Sequence, residues 1–489
     1  MTPLLALSIL FIYFGVLVAI SIYTSKGADT NSFFIANKSV PWWLVAFGMI
    51  GTSLSGVTFI SVPGLVGKNH FSYFQTVLGF TLGYYFIGTV LMPLYYKLNL
   101  ISIYGYLKTR FGFWSYKTGS AFFLLSRTLG SAVRLFIAAQ VLQLAIYDPL
   151  GIPFEVSVFF TVFLIWVYTF KGGVKTIVIT DSLQTVFLIT AVAMTIYLIS
   201  SQLGYGFGDM TSAIFNSSLS ETFYFDGGWS DSKNFFKQFI SGAFIAIVMT
   251  GLDQDLMQKN LTCKNIKEAQ KNMFSFTIVM VIVNLMFLSL GALMYIYSEK
   301  EGIQIPANSD ELFPMLALKV FANPSMGFAG VLVGVTFLVG ITAATYASSD
   351  SALTALTTAF CIDFMDIQSK DEAQKTRIKN RVHIGFSLIF IVVILIFKAL
   401  NNTNVILAIY KIASYTYGPL LGLFFTGIYT KWEIKDKLTP IVCIVSPILT
   451  YILVMVIENY GGYKFGFENL LLNGAITILG LWLARKKAV

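Results

Sequence analysis

Residues 40–66 read VPWWLVAFGMIGTSLSGVTFISVPGLV, an apolar run long enough to cross a bilayer but interrupted at its middle by poor helix formers. Gly48, Gly51 and Gly56 surround Thr52, Ser53, Leu54 and Ser55, and a break in such a helix frees backbone carbonyls that can bind a cation. Small residues also let helices pack closely, so each glycine taken singly reads as a packing residue. A second polar run, TAATYASSDSALT at residues 342–354, supplies the counterpart. Ala344, Ser348 and Ser351 recur at intervals of four and three, so they share one helix face, and hydroxyls with carbonyls suit a hard, weakly charged ion such as sodium. Hydroxyls also bond back to their own helix, but Asp350 inside this run favours the ion-site reading.

Composition sets the solvent in which these runs sit. Of 489 residues, 56% are hydrophobic and 12% are charged, against about 25% charged in soluble domains. The chain is therefore read as an all-α integral membrane protein. Three scattered cysteines and two histidines exclude a disulfide framework, a Cys/His zinc site and c-type haem. Apolar stretches give about 13 candidate spans: 4–24, 40–66, 72–96, 118–147, 155–170, 176–200, 236–258, 272–297, 326–361, 382–399, 404–429, 438–457 and 467–484. The first lacks a basic leader and a small-residue cleavage pattern, and reads as a retained helix rather than a signal peptide.

Alternate connections carry the basic residues. They hold Lys26 and Lys38; Lys97, Lys108, Arg110 and Lys117; Lys171 and Lys175; Lys259, Lys264, Lys267 and Lys271; the group from Lys370 to Arg381; Lys431, Lys435 and Lys437; and the tail Arg485, Lys486 and Lys487. The rule that basic loops stay inside puts the N-terminus outside and the C-terminus in the cytoplasm, in a multi-pass plasma membrane protein of the bacterial inner-membrane type. It also accounts for the net charge of +9 without a nucleic-acid partner. Two long outer connections, 201–235 and 298–325, read as lids or as solvated linkers.

Ionisable residues at depth are expensive and usually functional. Here they are Asp181, Asp350, Arg127, Arg134 and Lys411. Lys411 and Arg127 lie near enough to an interface to snorkel, whereas Arg134 falls near mid-membrane, where it either pairs with an acid or meets a substrate.

The segment from Gly172 and Gly173 to Thr180, Asp181 and Gln184 resembles the GG(x)6TDxxQ signature of the sodium:solute symporter family. Asp253, Gln254, Gln258 and Lys259 resemble that family's DQxxxQR helix end, with lysine in place of arginine. The run ending in Phe360–Asp363 is similar to its sodium-binding helix, and TSLSGVTFISVP at 52–63 is similar to the broken first core helix of the sialic acid branch. The resemblance implies a LeuT-like core of five plus five helices in inverted repeats, 40–200 and 236–429. An extra helix at 4–24 precedes it and two more at 438–484 follow it.

The resemblance also implies sites. A first sodium is expected on the carbonyls of Gly51 and Leu54 and on Ala344, Ala347 and Ser348, although Ala347 lacks the hydroxyl usual there. A second cation is expected at Asp181, Asp350 and Ser351. Substrate contacts are expected from Ser53, Ser55, Thr58, Gln75 and Arg134, with Tyr346, Tyr410, Ser414, Tyr415 and Tyr417 as possible lining or gating residues. Ala246, Met249 and Thr250 stand where sugar symporters carry larger polar and aromatic groups. The implied activity is sodium-coupled import of a small polar solute, anionic and sialic acid-like or another carboxylate, with one or two sodium ions and no organic cofactor. A sodium/sugar or sodium/amino-acid symporter and a non-transporting solute sensor stand as alternatives; a membrane enzyme is not expected.

Overall fold

The bilayer interior offers no water to unpaired amides, so a chain of this composition satisfies its backbone within each span and folds as helices. The computed structural model describes residues 3–25, 30–323, 326–400 and 405–486. Lys26 and Lys487, two of the residues that orient the chain, lie outside the described residues. Among the described residues the structure is all-α apart from an isolated bridge between Ile434 and Arg485.

The N-terminal helix α1 (Pro3–Thr24) is followed by the broken pair α2 (Trp42–Ser53) and α3 (Gly56–Asn69), then α4 (Tyr73–Phe86) and α5 (Phe113–Leu142). The long α6 (Phe154–Gln202) turns a corner at Gly173, whose φ of 58° and ψ of −164° interrupt the helix. An added Cβ there would overlap the backbone of Phe33, so glycine is required by both conformation and space. The second half contains α7 (Phe235–Ala246), α8 (Gln254–Asn260), α9 (Ile266–Lys300), α10 (Gly327–Asp363), α11 (Glu372–Leu400), α12 (Val405–Thr416) and α13 (Gly418–Tyr429). Two further helices, α14 (Thr439–Tyr460) and α15 (Asn469–Leu483), close the chain.

Eight helices among the described residues are long and apolar enough to cross a membrane, or nine if one bent pair counts as a single span. Four shorter apolar helices, Trp42–Ser53, Phe154–Phe170, Gly418–Tyr429 and Asn469–Leu483, add to these. The count differs from the reading of uninterrupted spans because breaks divide several of them. Span 40–66 becomes α2 and α3, and 404–429 becomes α12 and α13. Span 236–258 bends by 69° between Gly251 and Gln254, where a π-helical turn, Ile247–Gly251, ends and Asp253 caps α8. The apolar side chains Ile441, Ile444, Ile448 and Ile452 of α14 point outward, as a lipid-facing helix requires.

The core positions the site. α10 packs along α6 and touches both halves of the broken pair, and α2 packs along α6. At Gly56 an added Cβ would overlap the hydroxyl of Thr345, so the break lies directly on the Ser/Thr-rich face of α10. The long connection 201–235 is anchored rather than free: Phe71 donates to the Glu221 carbonyl at 3.0 Å, and His70 Nδ1 pairs with the Tyr224 hydroxyl at 2.8 Å.

Candidate functional site

At the break, Leu54 still donates to the Ile50 carbonyl (2.8 Å), but its φ of −83° and ψ of 69° leave the helix, and bonding resumes with Phe59 to Ser55 (3.1 Å). No described bond runs from the Ser55 amide to Gly51 or from the Thr58 amide to Leu54, so those two carbonyls have lost their helical donors. On α10, which touches both halves of the broken pair, Ala344, Ala347 and Ser348 are fully buried. Ser348 donates to the Thr345 carbonyl at 2.9 Å and keeps its oxygen lone pairs available. Ala347 contributes no side-chain oxygen, but the buried hydroxyls of Thr345 and Ser349, its neighbours in the same turn region, have no protein partner.

Behind the break lies a buried charge cluster. Thr52 donates to Asp181 Oδ2 at 2.9 Å, and Lys259 from α8 ion-pairs with that oxygen while also contacting the Thr52 hydroxyl. Asp350 Oδ2 accepts from the Tyr168 hydroxyl at 2.7 Å. The other oxygen of each carboxylate, Asp181 Oδ1 and Asp350 Oδ1, is buried without a protein partner. Lys259 is the electrostatic neighbour of both acids. Ser351 is not brought to them: its hydroxyl donates to Asp255. Successive residues on a helix point about 100° apart, so Asp350 and Ser351 serve different sides of α10.

On that other side, Arg127 ion-pairs with Asp255 and lies 3.7 Å from Asp253, which also accepts from the Tyr417 hydroxyl. Between this network and the break is a cavity of about 90 Å³. Ser53, Ser55 and Thr58 line one wall, Arg134 another, and Met249 and Thr250 a third. Arg134 has no ion pair or hydrogen bond among the described residues, in contrast to Arg127 and Lys259. A larger recess of about 1080 Å³, bordered by Gln140, Asp148, Glu311 and Lys398, contains none of the sequence-predicted site residues.

Residues 33–433, most of the chain, match the sodium:solute symporter family. The chain belongs to that family. It is similar to the sodium/sialic acid symporter NanT of Aliivibrio fischeri, 26% identical with 86% of this chain and 82% of the relative covered. It is also similar to the sodium/sialic acid symporter SiaT of Proteus mirabilis, 23% identical over 97% and 93% of the two chains. A solved structure of a Na+-coupled sialic acid symporter, substrate-bound and outward-open, superposes with a TM-score of 0.81 at 20% identity, covering 99% of both chains. The protein is thus a sodium-coupled symporter of the LeuT-like fold and not an enzyme, and sodium is its co-transported ion.

Several expectations for this symporter take a different form in three dimensions. Gln75 does not line the cavity. Its amide donates to the Lys233 carbonyl (2.8 Å) and accepts from the Tyr224 amide (3.1 Å), tying α4 to the connection 201–235. Arg127 does not snorkel; it is buried in its ion pairs. Lys411 is exposed, as snorkelling demands. Of the tyrosines considered for the path, Tyr410 lines the cavity and meets the Tyr73 hydroxyl at 3.1 Å, whereas Tyr346 is buried against Phe14. Lys259, read from sequence as a cytoplasmic loop residue, is a buried partner of Asp181. The signal for it was present: the motif in which it replaces arginine ends a helix whose other polar residues are also buried.

Proposed function

We propose that this symporter couples inward movement of sodium to import of a small anionic solute whose carboxylate binds Arg134. The observation that carries this reading is a guanidinium in the cavity wall that, among the described residues, makes no ion pair or hydrogen bond, with Asp253 acting on it only at longer range. A planar guanidinium takes a carboxylate through two parallel hydrogen bonds, and half-buried Arg134 leaves its fork open to a solute in the cavity. The two most similar relatives reported above carry sialic acid, itself a carboxylate, which supports the same reading.

In this proposal one sodium rests on the Gly51 and Leu54 carbonyls, the Ala344 carbonyl and Ser348, with Thr345 or Ser349 or water making up for Ala347. A second cation is assigned to the free oxygens of Asp181 and Asp350, without Ser351. Sodium holds α2 and α3 against α10 and so favours the state that accepts substrate; its loss inward releases both. Ser53, Ser55 and Thr58 complete the substrate site from the break. The inverted repeats 40–200 and 236–429 belong to the same proposal, supported by a break in the first helix of each. So do about 13 crossings, an outside N-terminus and a cytoplasmic C-terminus.

Uptake into proteoliposomes tests the reading. An inward sodium gradient should drive accumulation of an acid but not of its amide. Arg134→Lys should weaken acid uptake by about ten- to a hundredfold, as loss of a charge-assisted contact of about 1.5–3 kcal/mol predicts. Equal handling of acid and amide would remove the carboxylate role.

A further inference from the structure

Neither α14 nor α15 contributes a side chain to the wall of the cavity that holds Arg134, yet α15 packs against α12 and α7, which do. α12 brings Ile409 and Tyr410 to the cavity, and α7 with the π-helical turn after it brings Ile245, Met249 and Thr250. The Tyr410 hydroxyl lies 3.1 Å from that of Tyr73, so one hydrogen bond joins α12 to α4 at the cavity wall. The Tyr410 ring also packs on Phe467, just before α15, with their centroids 4.5 Å apart. How freely α12 can carry Tyr410 away from Tyr73 depends on the joint between α12 and α13.

That joint is built around a missing donor. α12 ends at Thr416 and α13 starts at Gly418, with Pro419 in its first turn. In a continuous helix the amide of residue 419 would bond the Tyr415 carbonyl, but proline has no N–H to give. Asn473 of α15 supplies one instead: its Nδ2 donates to the Tyr415 carbonyl at 2.9 Å and to the Ser414 carbonyl at 3.0 Å. The same side chain is held from behind, because its Oδ1 accepts from Ser446 of α14 at 2.6 Å and the Thr477 hydroxyl reaches that of Ser446 at 2.7 Å. Asn473, Ser446 and Thr477 are all buried, so a carbonyl that loses Asn473 is left bare rather than hydrated. Gly418 makes the approach possible, since an added Cβ there would overlap Asn473. A hinge absorbs motion in a few residues at the end of an element, and a proline break supplies such a place.

We infer that Asn473 is a positioning residue for the transport cycle: standing in for the amide that Pro419 lacks, it holds the α12–α13 joint and so sets how often α12 lifts Tyr410 off Tyr73 to admit solute. The inference rests on the reading above that solute binds in this cavity, and not on which solute it is. A second tie from the same end of the chain restrains α7, where Lys237 pairs with Glu468 at 2.9 Å and donates to the Lys464 carbonyl at 2.9 Å. The C-terminal helices thus brace the cavity from behind, fixing α7 and holding α12 at its hinge.

The test uses the purified full-length protein carrying Met249→Cys, which places a thiol in the cavity wall while Cys263, Cys361 and Cys443 are buried. The rate at which a small methanethiosulfonate reagent modifies that thiol, in sodium chloride, reports opening of the contact between Tyr73 and Tyr410. Asn473→Leu keeps most of the side chain's bulk and removes its donors; it should raise the rate at least about fivefold, as loss of one to two hydrogen bonds predicts. Pro419→Ala gives the joint an amide of its own, so Asn473→Leu/Pro419→Ala should bring the rate most of the way back. Tyr73→Phe cuts the contact directly and should also raise the rate, and together with Asn473→Leu it should add little to the larger effect, since both act on one opening. Full multiplication of the two effects would mean that the reagent enters by another route, and would overturn the inference. So would a rate that Pro419→Ala does not restore. A lower melting temperature in Asn473→Leu with an unchanged modification rate would also overturn it, by leaving Asn473 a merely structural role. If Asn473→Leu does not fold, Ser446→Ala decides, because it frees only the back of the Asn473 side chain: a rate no higher than the parent's overturns the inference. Failure of the carboxylate role of Arg134 would show instead as equal handling of acid and amide, and would leave these rates as they are.

Discussion

Ser348 gives its proton to the Thr345 carbonyl at 2.9 Å and still has lone pairs to offer a cation. Replacing it with alanine removes one neutral ligand without adding charge. Ser348→Ala should therefore raise the sodium concentration for half-maximal uptake roughly fivefold, the effect of about 1 kcal/mol. Ala347→Ser should lower it, since it restores an oxygen beside the same carbonyls. Unchanged sodium dependence in both variants would move the ion elsewhere. The Lys259–Asp181 pair makes a different demand, because both partners are buried and each leaves the other uncompensated. Breaking one side of a buried pair costs about 3–5 kcal/mol, whereas replacing both together is often close to neutral. Lys259→Met alone should markedly lower the melting temperature of the purified protein, and Asp181→Asn/Lys259→Met should recover much of the loss. The double variant should nonetheless lose sodium coupling at the proposed second cation site. Recovery of stability together with normal coupling would show that Asp181 has only a structural role.

Two short helices meeting at a gap do what one continuous helix cannot. α2 and α3 end on opposite sides of Leu54 and Ser55, and the gap is pressed against α10 where Gly56 leaves no room for a Cβ beside Thr345. Gly56→Ala forces the break away from the face that carries Ala344 and Ser348. Overpacking of this kind costs about 1–3 kcal/mol, and here it would also spread the two halves of the proposed sodium site. Apparent sodium affinity and thermal stability should fall together. Gly15→Ala, at a position with nothing within 4 Å, is the matched control and should change neither. The break was legible because glycine and hydroxyl density is a local property of sequence. The bend of 69° after Gly251 was less so, for the run around it is more uniformly apolar and its signal is the capping Asp253. Pairings such as Arg127 with Asp255, or Gln75 with the outer loop, depend on which faces of distant helices meet. Spacing along one helix does not contain that information, and a lysine at a motif's end reads as a loop charge until its neighbours are known.

At the scale of the whole chain, the proposed orientation rests on where the basic loops lie. Lys259 leaves the set of basic loop residues because it is buried with Asp181, and Lys117 turns to the backbone carbonyl of Asp363 at the C-terminal end of α10. Lys264, Lys370 and Lys435 lie on connections between helices, where the proposed orientation needs them. The protein is suited to a direct labelling test, since Cys263, Cys361 and Cys443 are all buried. Burial, with the Glu268 carboxylate adding to it, pushes the Cys263 thiol up to about 12. It therefore stays protonated and unreactive near neutral pH. Ser232 and Ser369 are exposed, the first on the long connection before α7 and the second between α10 and α11. With a membrane-impermeant maleimide, Ser232→Cys should label in intact cells and Ser369→Cys only after the membrane is opened. The reverse pattern would invert the topology, and with it the direction assigned to sodium and solute. Labelling of both from outside would mean that α10 and α11 do not bracket a cytoplasmic loop, leaving the alternation of basic connections without a membrane to explain it.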